Sequence, residues 1–215
     1  MKITILTLFP EMFDGFIRTS IINKAVLKHA VEINVVNIRD YTLDKHNRCD
    51  DYPFGGGAGL VMLAQPVVDA IQAVKGSSSR TVMMTPQGSV FTQQKAKKMS
   101  ASIEDLIIVC GHYEGFDERI RHYVDEEISI GDFVLTGGEL PAMVISDALV
   151  RLLDNVITTE SHENDSFENG LLEYPHYTRP IDYNGMSVPE VLRSGHHERI
   201  RQWRLKDVAG ASRPD

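Results

Sequence analysis

The sequence is short of cysteine, tryptophan, positive charge and unbroken apolar stretches, and each shortage closes off a class of protein. Its 215 residues hold two cysteines, Cys49 and Cys110, and one tryptophan. The two thiols form no CxxC pair and no disulfide framework, which predicts a reducing compartment, the cytoplasm. No apolar run reaches the roughly 20 residues of a membrane-spanning helix. The run Ile3–Phe9 follows a lysine as a signal peptide would, but Pro10 and Glu11 stop it and no small-residue cleavage site follows. It reads as a buried first strand. The net charge of −8, taken alone, argues against a nucleic-acid binder, because phosphate contacts need cations. Two nucleotide fingerprints are missing. No GxGxxG opens a helix after the first strand, and Gly55-Gly56-Gly57-Ala58-Gly59 lacks the Gly-Lys-Ser/Thr ending of a phosphate loop. No metal-ligand spacing stands out, because the adjacent His196 and His197 cannot share one ion from one helix face.

What is present alternates. Strand signals over Lys2–Phe9, Val31–Ile38, Thr81–Thr85 and Leu106–Cys110 are interleaved with helix signals. The helices are read over Glu11–Ile17, Ile21–His29, Pro66–Lys75, Gln93–Ala101, Phe116–Tyr123 and Pro141–Leu153. Such alternation predicts an α/β fold, a parallel sheet with helices on both faces. Leu106–Cys110 is apolar throughout, the pattern of a central strand buried on both sides, and Cys110 reads as core. From Thr158 to Gly170 the chain turns polar, acidic and aperiodic, which reads as a flexible linker. The predicted division is a domain over 1–157, a linker over 158–170 and a small helical domain over 171–215, with helices at Val188–Arg193 and His196–Lys206.

Three glycine-bearing loops are candidates for a site. They are Thr85-Pro86-Gln87-Gly88, Gly111-His112-Tyr113-Glu114-Gly115, and the stretch from Ser129 to Pro141 that includes Gly131, Gly137 and Gly138. In open α/β sheets ligands sit at the carboxyl ends of strands, where glycine lets backbone amides approach closely. The Gly55–Gly59 loop reads equally as a tether or as a backbone nest for anions, with His46 and Arg48 near it in sequence. Between Arg193 and Lys206 five basic residues stand against the single acid Glu198, either a solvated helix face or a phosphate contact. Asp165 in the linker reads on its own as a solvating acid. Arg151, near the end of an apolar helix, reads as a partner for the helix dipole.

Taken together, Tyr52–Gly59, Pro86-Gln87-Gly88, Cys110–Arg119, Ser129–Pro141, Asp165-Ser166-Phe167 and Pro175–Pro180 resemble the bacterial tRNA (guanine-N1)-methyltransferases of the SPOUT class. The resemblance runs from Met1 to about Lys206, with the motifs in the family's order. It implies an α/β sheet carrying a deep trefoil knot over about 85–141, which general topology rules would have argued against. It also implies S-adenosylmethionine as methyl donor, held by Met83, Thr85, Pro86, Gly111, Tyr113, Glu114, Ser129, Ile130, Gly131, Leu135, Gly137, Gly138 and Pro141. Phe133 stands where many members have tyrosine.

The reaction so implied is methylation of N1 of guanine 37 in tRNA when guanine is also at position 36. Asp165 matches the family's general base, and Arg151 the residue that meets charge growing on O6. The family's antiparallel homodimer implies active sites at the subunit interface. His46, Arg48, Gly55, Gly59, Glu173, His176, Tyr177, Arg179, Arg199 and Arg204 are the matched candidates for contact with the tRNA anticodon stem-loop. Magnesium is implied for transfer, with no ligand spacing to show a site. Members run some tens of residues further, so the C-terminal domain reads as shortened, and Asp207–Asp215 matches weakly. Two other readings compete: a non-catalytic RNA- or nucleotide-binding protein on the same scaffold, and a SPOUT enzyme with another target base. Asp165 and Arg151 argue against the first, and the Asp165-Ser166-Phe167 and Pro175-His176-Tyr177 segments against the second.

Overall fold

The computed structural model describes residues 1–157 and 174–210. The chain divides into two units, Met1–Ile157 and Thr158–Asp215. In the first, five strands form one sheet in the order β2-β1-β6-β5-β7. They are β1 (Lys2–Thr7), β2 (Glu32–Asn37), β5 (Ser79–Val90), β6 (Asp105–Val109) and β7 (Glu126–Ser129), and every neighbouring pair is parallel. Two very short strands, β3 (Asp50–Asp51) and β4 (Val61–Met62), pair separately.

Side-chain alternation along the strands splits the core into two layers. On one face Ile3, Ile5, Val82, Met84, Leu106 and Ile108 pack against helices α1 (Asp14–Arg18), α2 (Ser20–Leu27), α4 (Gln93–Ser102) and α5 (Glu139–Val150). On the other, Leu6, Met83, Ile107 and Val109 meet α3 (Ala64–Val74) and the 3₁₀ turns Ile38–Tyr41 and Glu118–Tyr123. The four central residues of β6, Leu106 to Val109, are fully buried, and each contributes roughly 1.5–3 kcal/mol through burial.

Three features were not expected from the sequence. First, β7 has no strand signal and carries no apolar run, because it is an edge strand whose Glu126 and Glu127 are held by cations. Lys95 reaches Glu126 at 2.5 Å and Arg121 reaches Glu127 at 3.3 Å. Second, Thr85–Gly88 is not a loop beyond a strand end. It bulges from the middle of β5, since Met84 and Ser89 both pair with Ile128 and the residues between them have no place in the ladder. Pro86 has no N–H to give a ladder, which favours the break there. Third, Phe116–Tyr123 is not an α-helix; only Glu118–Tyr123 coils, as a 3₁₀ turn.

Beyond residue 173, the described part of the second unit contains a hairpin as well as helices. Strands β8 (Asp182–Tyr183) and β9 (Met186–Ser187) are joined by Asn184-Gly185, with φ of 55° and 81°. This Asn-Gly pair is a strong local hairpin signal, because the turn needs positive φ at both residues. Helices α6 (Glu190–Arg193) and α7 (His197–Gly210) follow. Among the described residues no helix is long and apolar enough to cross a membrane.

Candidate active site at the carboxyl ends of three strands

The bulge in the middle of β5 and the carboxyl ends of β6 and β7 open onto one cavity of about 380 Å³, within the range of small-molecule sites. Its walls come from three segments: the β5 bulge, the loop after β6, and the stretch after β7 that runs back past β5 to the end of β6. Gly138 N–H donates to Gly111 O at 2.8 Å, and His112 bridges Gly137, so the third segment closes against the second. Every residue matched above to the donor site lines this cavity: Met83, Thr85, Pro86, Gly111, Tyr113, Glu114, Ser129, Ile130, Gly131, Leu135, Gly137, Gly138 and Pro141.

Close backbone approach explains two of the glycines. A Cβ on Gly138 would stand 2.8 Å from Cys110 Cα and from Gly111 N; one on Gly88 would stand 2.5 Å from the Glu127 carbonyl carbon. Backbone cannot yield as a side chain can, so both positions exclude a larger residue. Tyr113 adopts φ of 60°, a left-handed conformation of the kind that clusters at functional sites.

Several lining residues had no separate signal in the sequence. Arg121 donates to Gln87 Oε1 and pairs with Glu118 at 3.1 Å and Glu127 at 3.3 Å, which ties the 3₁₀ turn to the β5 bulge. Asp117 accepts from Arg119 Nε at 2.8 Å and Nη2 at 2.7 Å, and this pairing holds its carboxyl below the usual range. Gln87 and His112 sit inside quoted motifs, so their neighbours were the signal. The Cys110 thiol is pushed well above its ordinary range, first by burial and then by the charge of Glu139.

The Gly55–Gly59 loop stands beside this cavity. A Cβ on Gly59 would meet the Glu114 side chain at 2.5 Å, and Glu114 N–H donates to Leu60 O at 3.0 Å. His46 is exposed. Arg48 is not a free cation: it pairs with Asp44 at 2.9 Å and brings that carboxyl down to about 2.

Arg151 caps the C-terminal end of α5, whereas Gly138 caps its N-terminal end at the cavity. At 1.5 Å per residue the helix puts about 18 Å between residues 139 and 151, and Arg151 is not among the lining residues. In the second unit His176, Tyr177, Arg179, Arg199 and Arg204 are exposed. The Arg204 guanidinium lies 4.6 Å over the Tyr174 ring, and Tyr177 faces Trp203 at 6.3 Å. On α7 the half-buried Ile200 and Trp203 mark the inward side, and helical spacing puts Arg199 and Arg204 on either flank of it. Asp165 and Glu173 lie outside the described residues.

Comparison with known proteins assigns the chain to a family. The family model for tRNA (Guanine-1)-methyltransferase TrmD matches residues 1–214, so the likeness extends past Lys206 through the stretch that reads as weak by eye. Relatives named tRNA (guanine-N(1)-)-methyltransferase are similar over nearly the whole chain. The protein of Clostridium botulinum (strain Kyoto / Type A2) is 58% identical over 220 residues, covering 100% of this chain and 91% of its own. That of Bacillus pumilus is 58% identical over 212 residues, covering 96% and 86%. That of Spiroplasma kunkelii is 55% identical over 203 residues, covering 94% and 76%. The chain belongs to the tRNA (guanine-N1)-methyltransferase TrmD family.

Proposed function

We propose that this chain, as a homodimer, transfers a methyl group from S-adenosylmethionine to N1 of guanine 37 in tRNA carrying guanine at position 36. The supporting observation is that one cavity, at the β5 bulge and the carboxyl ends of β6 and β7, is lined by every residue matched to the donor site. The donor fits what is there: a cavity of about 380 Å³ whose wall at Gly138 has no room for a side chain. When bound, it supplies an electrophilic methyl on a cationic sulfur.

This chain's residues supply the rest. Guanine N1 carries a proton at neutral pH and must lose it before it attacks carbon. Asp165 takes that proton, help worth about 10²–10⁴-fold. As the N1–CH₃ bond forms and the S–CH₃ bond breaks, the electron pair of the broken bond stays on sulfur. Charge that builds on O6 meets the Arg151 guanidinium, an oxyanion-type role. The glycine loops hold the two reacting atoms in line.

The position of Arg151 supports two subunits per site. It lies about a helix length from the cavity of its own chain, so a partner brings it. Leu140 and Val144, one turn apart on α5 and about half exposed, together with the exposed Val134, offer an apolar face beside the cavity for that partner. The return of the 130–138 segment past β5 supports a threaded, knotted chain over 85–141. Arg199 and Arg204, with Arg179, His176 and Tyr177, are the proposed contacts to the anticodon stem-loop, with Glu173, His46, Arg48, Gly55 and Gly59. For magnesium, no group of three or more His, Cys, Asp or Glu side chains gathers among the described residues, and no step above runs through it.

The test is single-turnover methylation of two anticodon stem-loops that differ at position 36, beside a full-length tRNA control. Label on N1 of guanine 37 in the guanine-36 substrate and none in the adenine-36 substrate is expected. Donor binding with no label in any substrate would favour a binding-only protein.

A further inference from the structure

Glu139 is the first residue of α5 and is 2% exposed. Its Oε1 accepts from Thr7 Oγ1 at 2.7 Å, across the sheet from the end of β1. It stands in the first turn of a twelve-residue helix, the end that carries partial positive charge. Among the described residues no lysine, arginine or terminal ammonium forms an ion pair with it. A Cβ on Gly137 would clash with Oε2 and stand 2.7 Å from His112 Nδ1. That nitrogen is buried and has no hydrogen-bond partner among the described residues. Gly137, Gly138 and His112 line the cavity, so this carboxylate lies directly behind its wall.

Other acids around the cavity are placed differently. Glu114 is exposed to solvent. Asp117 is matched by Arg119, and Glu118 by Arg121. Water and cations screen these charges, whereas a buried carboxylate without a cation acts through a low-dielectric wall. Cys110 neighbours this carboxylate, and its thiol is pushed up first by burial and then by Glu139.

We propose that Glu139 selects the charge of the occupant: its carboxylate behind the Gly137–Gly138 wall favours a cationic sulfonium over the neutral thioether left after methyl transfer. The inference rests on reading this cavity as the donor site. The two ligands differ by one methyl and one unit of charge, so contacts to the rest of the molecule do not separate them, and a fixed negative charge does. The consequence is tighter capture of the donor and weaker retention of the spent product.

The experiment is calorimetric titration of the full chain with S-adenosylmethionine and with S-adenosylhomocysteine, for wild type, Glu139→Gln and Glu139→Asp. Glu139→Gln keeps the shape and removes the charge. It is expected to weaken sulfonium binding about tenfold and leave thioether binding within about twofold. Glu139→Asp keeps the charge and is expected to hold the wild-type affinity ratio within about threefold. Equal loss of both ligands in Glu139→Gln, or no loss of either, would overturn the proposal. Should Glu139→Gln fail to fold, as its melting transition would reveal, Glu139→Asp decides, and a collapsed ratio there overturns it. Wild-type protein that binds neither ligand would instead sink the reading of the cavity itself.

Discussion

Substituting alanine at Gly138 separates steric from conformational reasons for a glycine. Gly138 has φ of −83° and ψ of −2°, a conformation open to any L residue, so alanine meets no backbone strain there. The obstacle is space. The new Cβ would stand 2.8 Å from Cys110 Cα and Gly111 N and 3.2 Å from Cys110 C, all backbone of the buried end of β6. Overpacking against rigid neighbours costs about 1–3 kcal/mol, and alanine is a poorer N-cap than glycine. For a unit of this size the melting temperature should fall by roughly 3–10 °C. Donor affinity should fall with it, because Gly138 lines the cavity; Gly138→Trp should abolish binding. Gly15 is the control. It lies in α1 with nothing within 4 Å of a built Cβ and no positive φ, so Gly15→Ala should stabilise by about 0.4–1 kcal/mol. Differential scanning fluorimetry and calorimetric titration of both variants read the two effects. A Gly138→Ala protein that melts with wild type and binds the donor undiminished would refute the close-approach reasoning.

Other outcomes follow from the same structure. Ile107→Ala, at a fully buried site in the central strand, should cost about 2–5 kcal/mol in urea unfolding; a loss under 1 kcal/mol would contradict burial on both faces. Arg48→Ala should return the Asp44 carboxyl from about 2 toward its ordinary value of 3.8, as read by NMR titration. The sign is that of a depressed acid: the pair's contribution is present above the unfolded pKa and is lost as pH falls through about 2. Cys49 and Cys110, both buried, with thiols pushed up chiefly by burial, should resist alkylation at pH 8 until the chain is unfolded; rapid native labelling of Cys110 would contradict its place in the core.

The parts of the fold that burial dictates were legible. Leu106–Cys110 announces a strand covered on both faces, and the alternation in Val31–Ile38 announces a half-covered one; both strands are present. What pairing or contact dictates was not. The edge strand β7 begins Glu126-Glu127, and only tertiary ion pairs with Lys95, Arg80 and Arg121 make that a tolerable strand. The bulge at Thr85–Gly88 depends on Ile128, far along the chain. The Asn184-Gly185 turn was readable and is a lesson in weighting short-range turn chemistry. At the cavity, motif resemblance named lining residues that composition alone marked only as three glycine loops. The meeting of Glu139 with Thr7 and His112 had no sequence signal, because the sheet and not the local chain brings residues 7, 112 and 139 together.

The division of labour between subunits is open to one decisive measurement. On the proposed mechanism, Asp165→Ala protein keeps the donor cavity and loses the base, and Gly138→Trp protein keeps the base and loses the cavity. Each alone should be nearly inactive. Mixed through a denaturation and refolding cycle, half the dimers pair one of each, and each such dimer contains one complete site if the base crosses to the partner. Turnover in the mixture should recover to about a quarter of wild type. No recovery, in a mixture shown by native mass spectrometry to contain the heterodimer, would mean that donor and base belong to the same subunit and would contradict the account.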